Sequence, residues 1–203
     1  FDVTEDNSTE ESGVTVVKVD KPNMAQKGTI TVEKTGEMFF GVSVIGGVDE
    51  SGNELPTIYQ PQYEKGGLPG AVYEIIAAED ITTPDGTVRN QKDEVVDTVT
   101  TDATGTAVSR ELYLGKYEVR EITAPHGMVL NPEPHCVELV YAGQNVAVTE
   151  TVTSFENERQ KVEISLVKSI EQNERFDIGN NGEMKNISFG LFAAEEIVSA
   201  SGT

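Results

Sequence analysis

The sequence predicts an all-β sandwich built from repeated modules. Three observations carry that prediction. Short runs rich in β-branched and aromatic residues recur along the chain, separated by Gly, Pro, Asn and Asp turn signals. No stretch combines the apolar period of a helix with its caps. A pattern that opens near the N-terminal end begins again after residue 157.

Residues 1–13 are acidic and polar without periodicity, and are expected to form a loop or chain end. Residues 14–20 (VTVVKVD) read as a strand, punctuated by Pro22. Residues 28–34 (GTITVEK) and 38–45 read as two further strands, and 46–67, rich in Gly, Pro and polar residues, as an insertion or long loop. Residues 68–78 (LPGAVYEIIAA) have the length of a helix, but Pro69, Gly70 and the Val-Tyr-Ile-Ile content favour a strand entered by a turn. Pro84-Asp85-Gly86 signals a turn, 95–100 a strand and 102–105 another turn. Residues 106–112 lead into the central stretch 112–127 (LYLGKYEVREITAPHG), which ends in a turn at Ala124-Pro125-His126-Gly127. Residues 135–141 and 146–157 complete the strands.

The central stretch contains an anomaly. Strand side chains alternate between faces, so Tyr117, Val119 and Glu121 share one face while Lys116, Glu118 and Arg120 share the other. The second set belongs in solvent. The first is a core face whose third member is a carboxylate, which is costly to bury unless paired or neutral. The same happens twice more. Lys34 follows Ile30 and Val32 on one face, and Asn157 follows Phe155. Each residue alone reads better as a strand end reaching solvent. Together they suggest a buried polar trio contributed by three distant segments.

The repeat sets the domain organisation. NMAQKGTITVEK at 23–34 and NERQKVEISLVK at 157–168 share the Asn-to-Lys spacing of eleven positions and the Gln-Lys offset. Downstream, GLFAAEEI at 190–197 echoes GAVYEIIAAEDI at 70–81. The expected units are the end of a preceding module (1–27), one complete module (28–160) and the opening strands of a following one (161–203). Few strands cannot bury a core alone, so the chain is expected to be a fragment of a longer array.

Composition excludes several classes. With 35 acidic against 15 basic residues the formal net charge is -20, which disfavours nucleic acid and anionic membrane surfaces as partners. No apolar run approaches the ~18 residues of a membrane span. The single cysteine, Cys136, lies in a strand-like run and has no internal disulfide partner. His126 and His135 lack metal-ligand spacing, no G-x-S-x-G occurs, and Asp49 to Asn53 lack the spacing of a calcium-binding hand. No cofactor, no metal and no turnover enzyme are expected. Tyr59, Tyr63, Pro56 and Pro61 cluster in the 46–67 insertion, which leaves a ligand-binding alternative open: a host matrix protein or glycan recognised there.

Lys34 in an early strand, LPGAVYEI at 68–75, TTDATGTA at 100–107, LYLGKYEVREITAPHGM at 112–128 and FEN at 155–157 resemble the CnaB or SpaA-like modules of Gram-positive surface proteins and pilins. The resemblance implies a transthyretin-like (prealbumin-like) β-sandwich in a structural stalk at the bacterial cell surface. It also implies a spontaneous isopeptide bond, with Lys34 as nucleophile, Asn157 as acceptor and Glu121 as the assisting carboxyl. Asn23 and Lys168 match the same roles in neighbouring modules, which would be the chain's principal partners. The family's sortase signals, LPxTG and a pilin-motif lysine, do not occur, so a polymerising backbone subunit is not expected.

Overall fold

The computed structural model describes residues 8–11, 14–17, 23–176, 182, 185 and 187–196. Strands β1 (Ser8–Glu11) and β2 (Val14–Val17) form an antiparallel hairpin. The module begins with β3 (Lys27–Val48), along which β4 (Glu54–Gly67) returns antiparallel. Next come β5 (Val72–Ala77), the small hairpin of β6 (Ile81–Thr82) and β7 (Val88–Asn90), and β8 (Val95–Thr100). They are followed by β9 (Thr106–Val108), β10 (Leu112–Tyr113), β11 (Gly115–Thr123), β12 (His135–Leu139) and β13 (Val148–Asn157).

Two sheets make the sandwich. One has β3 at its centre, with β13 parallel on one edge and β9, β10 and β4 antiparallel along it. The other runs β12-β11-β5-β8, all antiparallel. Both contribute to one apolar core that includes Ile30, Val32, Tyr73, Ile75, Tyr117, Val119, Leu139 and Phe155. Period-two alternation accounts for this. On β3 the buried positions are Gly28, Ile30, Val32, Lys34 and Gly36, on β11 Tyr117, Val119 and Glu121, and on β13 Thr153, Phe155 and Asn157. The fold is an all-β, prealbumin-like sandwich.

Several local expectations need correction. Residues 8–11 pair in a hairpin instead of forming a loop, because backbone pairing with β2 does not need an apolar period. Residues 18–20 of the expected first strand lie outside the described residues. The segments 28–34 and 38–45 are one continuous strand, and 46–67 is no long loop but chiefly β4. Together the outer parts of β3 and β4 form a two-stranded ribbon beyond the sandwich. Their glycines, prolines and polar residues hid it, but an outer strand tolerates proline, and Pro61 faces Val42 across the ladder. The opening strands expected over 161–203 are not formed among the described residues. A strand exists only against a partner, and Ile164, Leu166 and Lys168 stand exposed without one.

The 102–105 turn is fastened to the centre of the sandwich. The Asp102 carboxylate accepts from the Thr104 and Thr106 amides and the Thr104 hydroxyl. These bonds, the Thr104 hydroxyl foremost, hold its carboxyl below the usual range. The turn thereby presents the Gly105 carbonyl to the Lys34 amide at 2.7 Å, while the Lys34 carbonyl accepts from Leu68 at 2.9 Å. Gly105 has φ +80°, and a Cβ there would stand 2.4 Å from the Lys34 carbonyl oxygen and 2.7 Å from the Gly67 Cα. Gly105→Ala is expected to cost at least about 2 kcal/mol, combining a left-handed backbone penalty with overpacking. Denaturant unfolding measures it; an unchanged midpoint would refute this account of the turn.

Candidate cross-linking site

Lys34, Glu121 and Asn157 meet in the sandwich interior. Parallel pairing sets Phe155 opposite Lys34 and Asn157 opposite Gly36, so the long lysine stem spans the two-residue offset to reach Asn157. Glu121 comes from the opposite sheet, where β11 pairs it with Tyr73 just before a register shift. Such irregularities bend a strand and re-aim its side chains. Residue exposures are 1% for Lys34, 2% for Glu121 and 3% for Asn157.

The contacts form a closed triangle. Lys34 Nζ donates to Asn157 Oδ1 at 2.5 Å. Lys34 Nζ lies 2.9 Å from Glu121 Oε1, with both side chains at zero exposure. Asn157 Nδ2 donates to the same Oε1 at 2.9 Å. The other carboxylate oxygen, Oε2, accepts from the Asn131 backbone amide at 2.9 Å. Aromatic rings wall the amine: its Nζ lies 5.7 Å from the Tyr73 ring centre and 5.6 Å from that of Phe155. His135 stacks on Phe155 at 3.9 Å, and its Nδ1 lies 2.9 Å from the Thr153 hydroxyl.

Burial dominates the electrostatics of the amine. Desolvation lowers the Lys34 pKa below its ordinary 10.5, although Glu121 pulls the other way through its hydrogen bond and charge. Burial raises the Tyr73 phenol, and the nearby Glu121 charge adds to the effect. The Tyr117 phenol is pushed up to about 12 by desolvation, and its hydroxyl donates to the Tyr113 carbonyl at 2.6 Å. The Tyr73 hydroxyl is buried without a hydrogen-bond partner among the described residues. An amine whose charged form is disfavoured, in hydrogen-bonding reach of a primary amide and a carboxyl, is an arrangement suited to acyl transfer.

The other candidates stay apart from this trio. Asn23 and Lys168 are both exposed. Cys136 is exposed on β12, and His126 is exposed in its turn. Asp49 binds the Ser51 and Asn53 amides as an ordinary turn cap, and no group of metal-ligating side chains occurs among the described residues. Sequence reasoning missed the Asn131 amide, because a backbone N–H leaves no mark in residue type. It also missed the aromatic wall, although Tyr73 and Phe155 on core parities of their strands were available signals.

This is a prealbumin-like β-sandwich with a buried Lys-Glu-Asn cluster between its sheets. Residues 60–154 match the family described as SpaA, prealbumin-like fold domain. The matched stretch contains Glu121, while Lys34 precedes it and Asn157 follows it, and much of the β3–β4 ribbon lies between Lys34 and its start. Among solved structures the chain is similar to GBS52, the minor pilin of Streptococcus agalactiae. That match has 16% identity and a TM-score of 0.41, covering 71% of this chain and 49% of that one. It is also similar to the full-length major pilin SpaD of Corynebacterium diphtheriae, with 20% identity and a TM-score of 0.40 over 69% of this chain and 32% of that one. The chain thus spans about half the length of the first and a third of the second. No curated protein matches the sequence.

A pH dependence follows for Asn157→Ala, which lacks the side-chain amide beside Lys34. Between the lowered native value of Lys34 and 10.5 the unfolded chain binds more protons than the folded one, so stability rises with pH there. Above about 10 the sign reverses, because unfolded tyrosines ionise while Tyr73 and Tyr117 hold their protons. Urea midpoints from neutral pH to pH 11 would show the rise and fall. Adding Lys34→Met should flatten the rise; an equal slope in the double variant would place its origin elsewhere.

Proposed function

We propose that the chain is a structural stalk module of a Gram-positive cell-surface or pilus protein, stapled by an isopeptide bond between Lys34 and Asn157. The observation that carries this reading is the solvent-free triangle in which Lys34 Nζ lies 2.5 Å from Asn157 Oδ1 and 2.9 Å from Glu121 Oε1. Lys34 passes a proton to Glu121, and the neutral amine attacks Cγ of Asn157. Glu121 returns the proton to Nδ2 as the C–N bond breaks, and the surplus proton on the new amide nitrogen passes through Glu121 to the departing ammonia. The ammonium of Lys34 and the primary amide of Asn157 become a secondary amide and an ammonium ion, and Glu121 ends as it began. Proximity in oriented systems lowers such barriers by roughly 7–11 kcal/mol. The reaction runs once per molecule, so it is maturation and not turnover.

The bond would enclose 123 sequence positions between Lys34 and Asn157. Loop-entropy reasoning assigns a cross-link of this size about 5 kcal/mol. Because β3 and β13 are parallel neighbours in one sheet, tension entering at one and leaving at the other would pass through the bond and bypass the enclosed strands. In this reading 28–160 is the complete module, and 1–27 and 161–203 belong to neighbouring modules. Asn23 and Lys168 serve their cross-links.

A second reading has a specific observation behind it. The β3–β4 ribbon exposes Phe40, Val42, Val44, Ile45, Ile58 and Tyr59, with no charged side chain between Phe39 and Gly47 or between Pro56 and Tyr63. Exposed apolar surface of this extent marks interaction sites, and a host matrix protein or glycan is the candidate ligand. Binding arrays comparing the chain with a ribbon-deleted variant test it: equal signals would dismiss the ribbon as a binding element.

Intact mass tests the principal reading. The wild-type chain is expected to weigh one ammonia less than its sequence requires, and Lys34→Ala, Asn157→Ala and Glu121→Ala to have their full sequence masses. A full wild-type mass would overturn the staple and leave ribbon binding as the better account.

A further inference from the structure

We infer that the backbone N–H of Asn131 is a positioning group for the cross-linking reaction, assigning separate tasks to the two oxygens of Glu121. The inference rests on the isopeptide reading above. A free carboxylate has two equivalent oxygens, and a flip would exchange them. Here they are unequal. Among the described residues Oε2 accepts from Asn131 N alone, whereas Oε1 faces both Lys34 Nζ and Asn157 Nδ2 at 2.9 Å. An N–H donor on Oε2 disfavours a proton there, so the proton from Lys34 settles on Oε1. That is the oxygen already touching the nitrogen that must leave. The carboxyl can collect and deliver the proton without rotating.

The loop carrying Asn131 is built to hold this amide still. Gly127 turns at φ +74°, and Met128 N donates to the Pro125 carbonyl at 3.0 Å. Val129 N donates to Glu158 O and Gln160 N to Gly127 O, each at 2.8 Å, which ties the loop to the chain just beyond Asn157. Pro132 confines Asn131 to extended backbone. The loop therefore closes over the trio from the side where β13 ends. A pocket of about 200 Å³ lies between Leu130 and Pro132 of the loop and Glu156 to Glu158, with Asn157 in its wall.

The side chain of Asn131 is dispensable in this scheme and its N–H is not. Asn131→Pro removes the donor at a position that already precedes a proline, and Asn131→Ala keeps it. The full chain is made by cell-free synthesis, quenched in acid at intervals and weighed intact. Loss of a hydrogen bond to a charged group is expected to slow ammonia release about ten- to a hundredfold in Asn131→Pro, with Asn131→Ala within about twofold of wild type. A purely structural role is separated by thermal unfolding in a Glu121→Ala background, where Asn131→Pro should leave the midpoint nearly unchanged. If the proline variant fails to fold, an ester in place of the 130–131 peptide bond removes the N–H without the ring. Wild-type rates in the proline or ester forms, or equal slowing by Asn131→Ala, would overturn the positioning role while the isopeptide reading stands. Wild-type chain that never loses ammonia would overturn both.

Discussion

An ammonium and a carboxylate share the driest part of this molecule. The side chains of Lys34 and Glu121 have no solvent exposure, and water is replaced by the rings of Tyr73 and Phe155 and by each other. Burying two charges costs several kcal/mol per ion before their attraction is counted, and an apolar pair of similar volume is often at least as stable. The cluster is therefore a poor stabiliser for its volume. Its value lies in the chemistry that desolvation permits: an amine whose proton is weakly held and an amide that cannot exchange its partner for water.

The surrounding structure serves that burial. The sandwich supplies two facing sheets, so amine and amide come from neighbouring parallel strands and the carboxyl from across the core. The 102–105 turn clamps the backbone of Lys34 through Gly105, and the 128–134 loop closes the open end. These parts come from distant sequence and meet only when the module is complete. Folding is thus the step that brings the three groups together, as the proposed single, self-catalysed cross-link would require.

The ribbon obeys a different logic. It pairs its own backbone through the β3–β4 ladder, yet leaves large apolar side chains in solvent. An isolated two-stranded hairpin is marginal in water. Its base is better held: the Arg159 guanidinium lies 3.6 Å from the Tyr63 ring centre and bonds Glu37 at 2.6 Å. The ribbon grows from the strand that carries Lys34, so anything grasping it would pull directly on the clamped end of β3.

The all-β class, most strand positions and the three anomalous core residues were legible because period two maps sequence onto faces without knowledge of partners. Ile30-Val32-Lys34, Tyr117-Val119-Glu121 and Phe155-Asn157 each announce a buried face ending in a polar group. The β3–β4 ribbon was not legible. Its Gly, Pro and Gln residues have no preferred face, and a ladder with both faces in solvent imposes no apolar period. Among the described residues of 161–203 no strand forms, for the complementary reason: an alternating pattern is a capacity to pair, and pairing needs a second strand. Alternation placed Lys34, Glu121 and Asn157 on the core-side parity of their strands. Only the tertiary structure decided that they meet, because parallel register, sheet-to-sheet packing and a backbone N–H from a loop are relations between segments that no local pattern encodes.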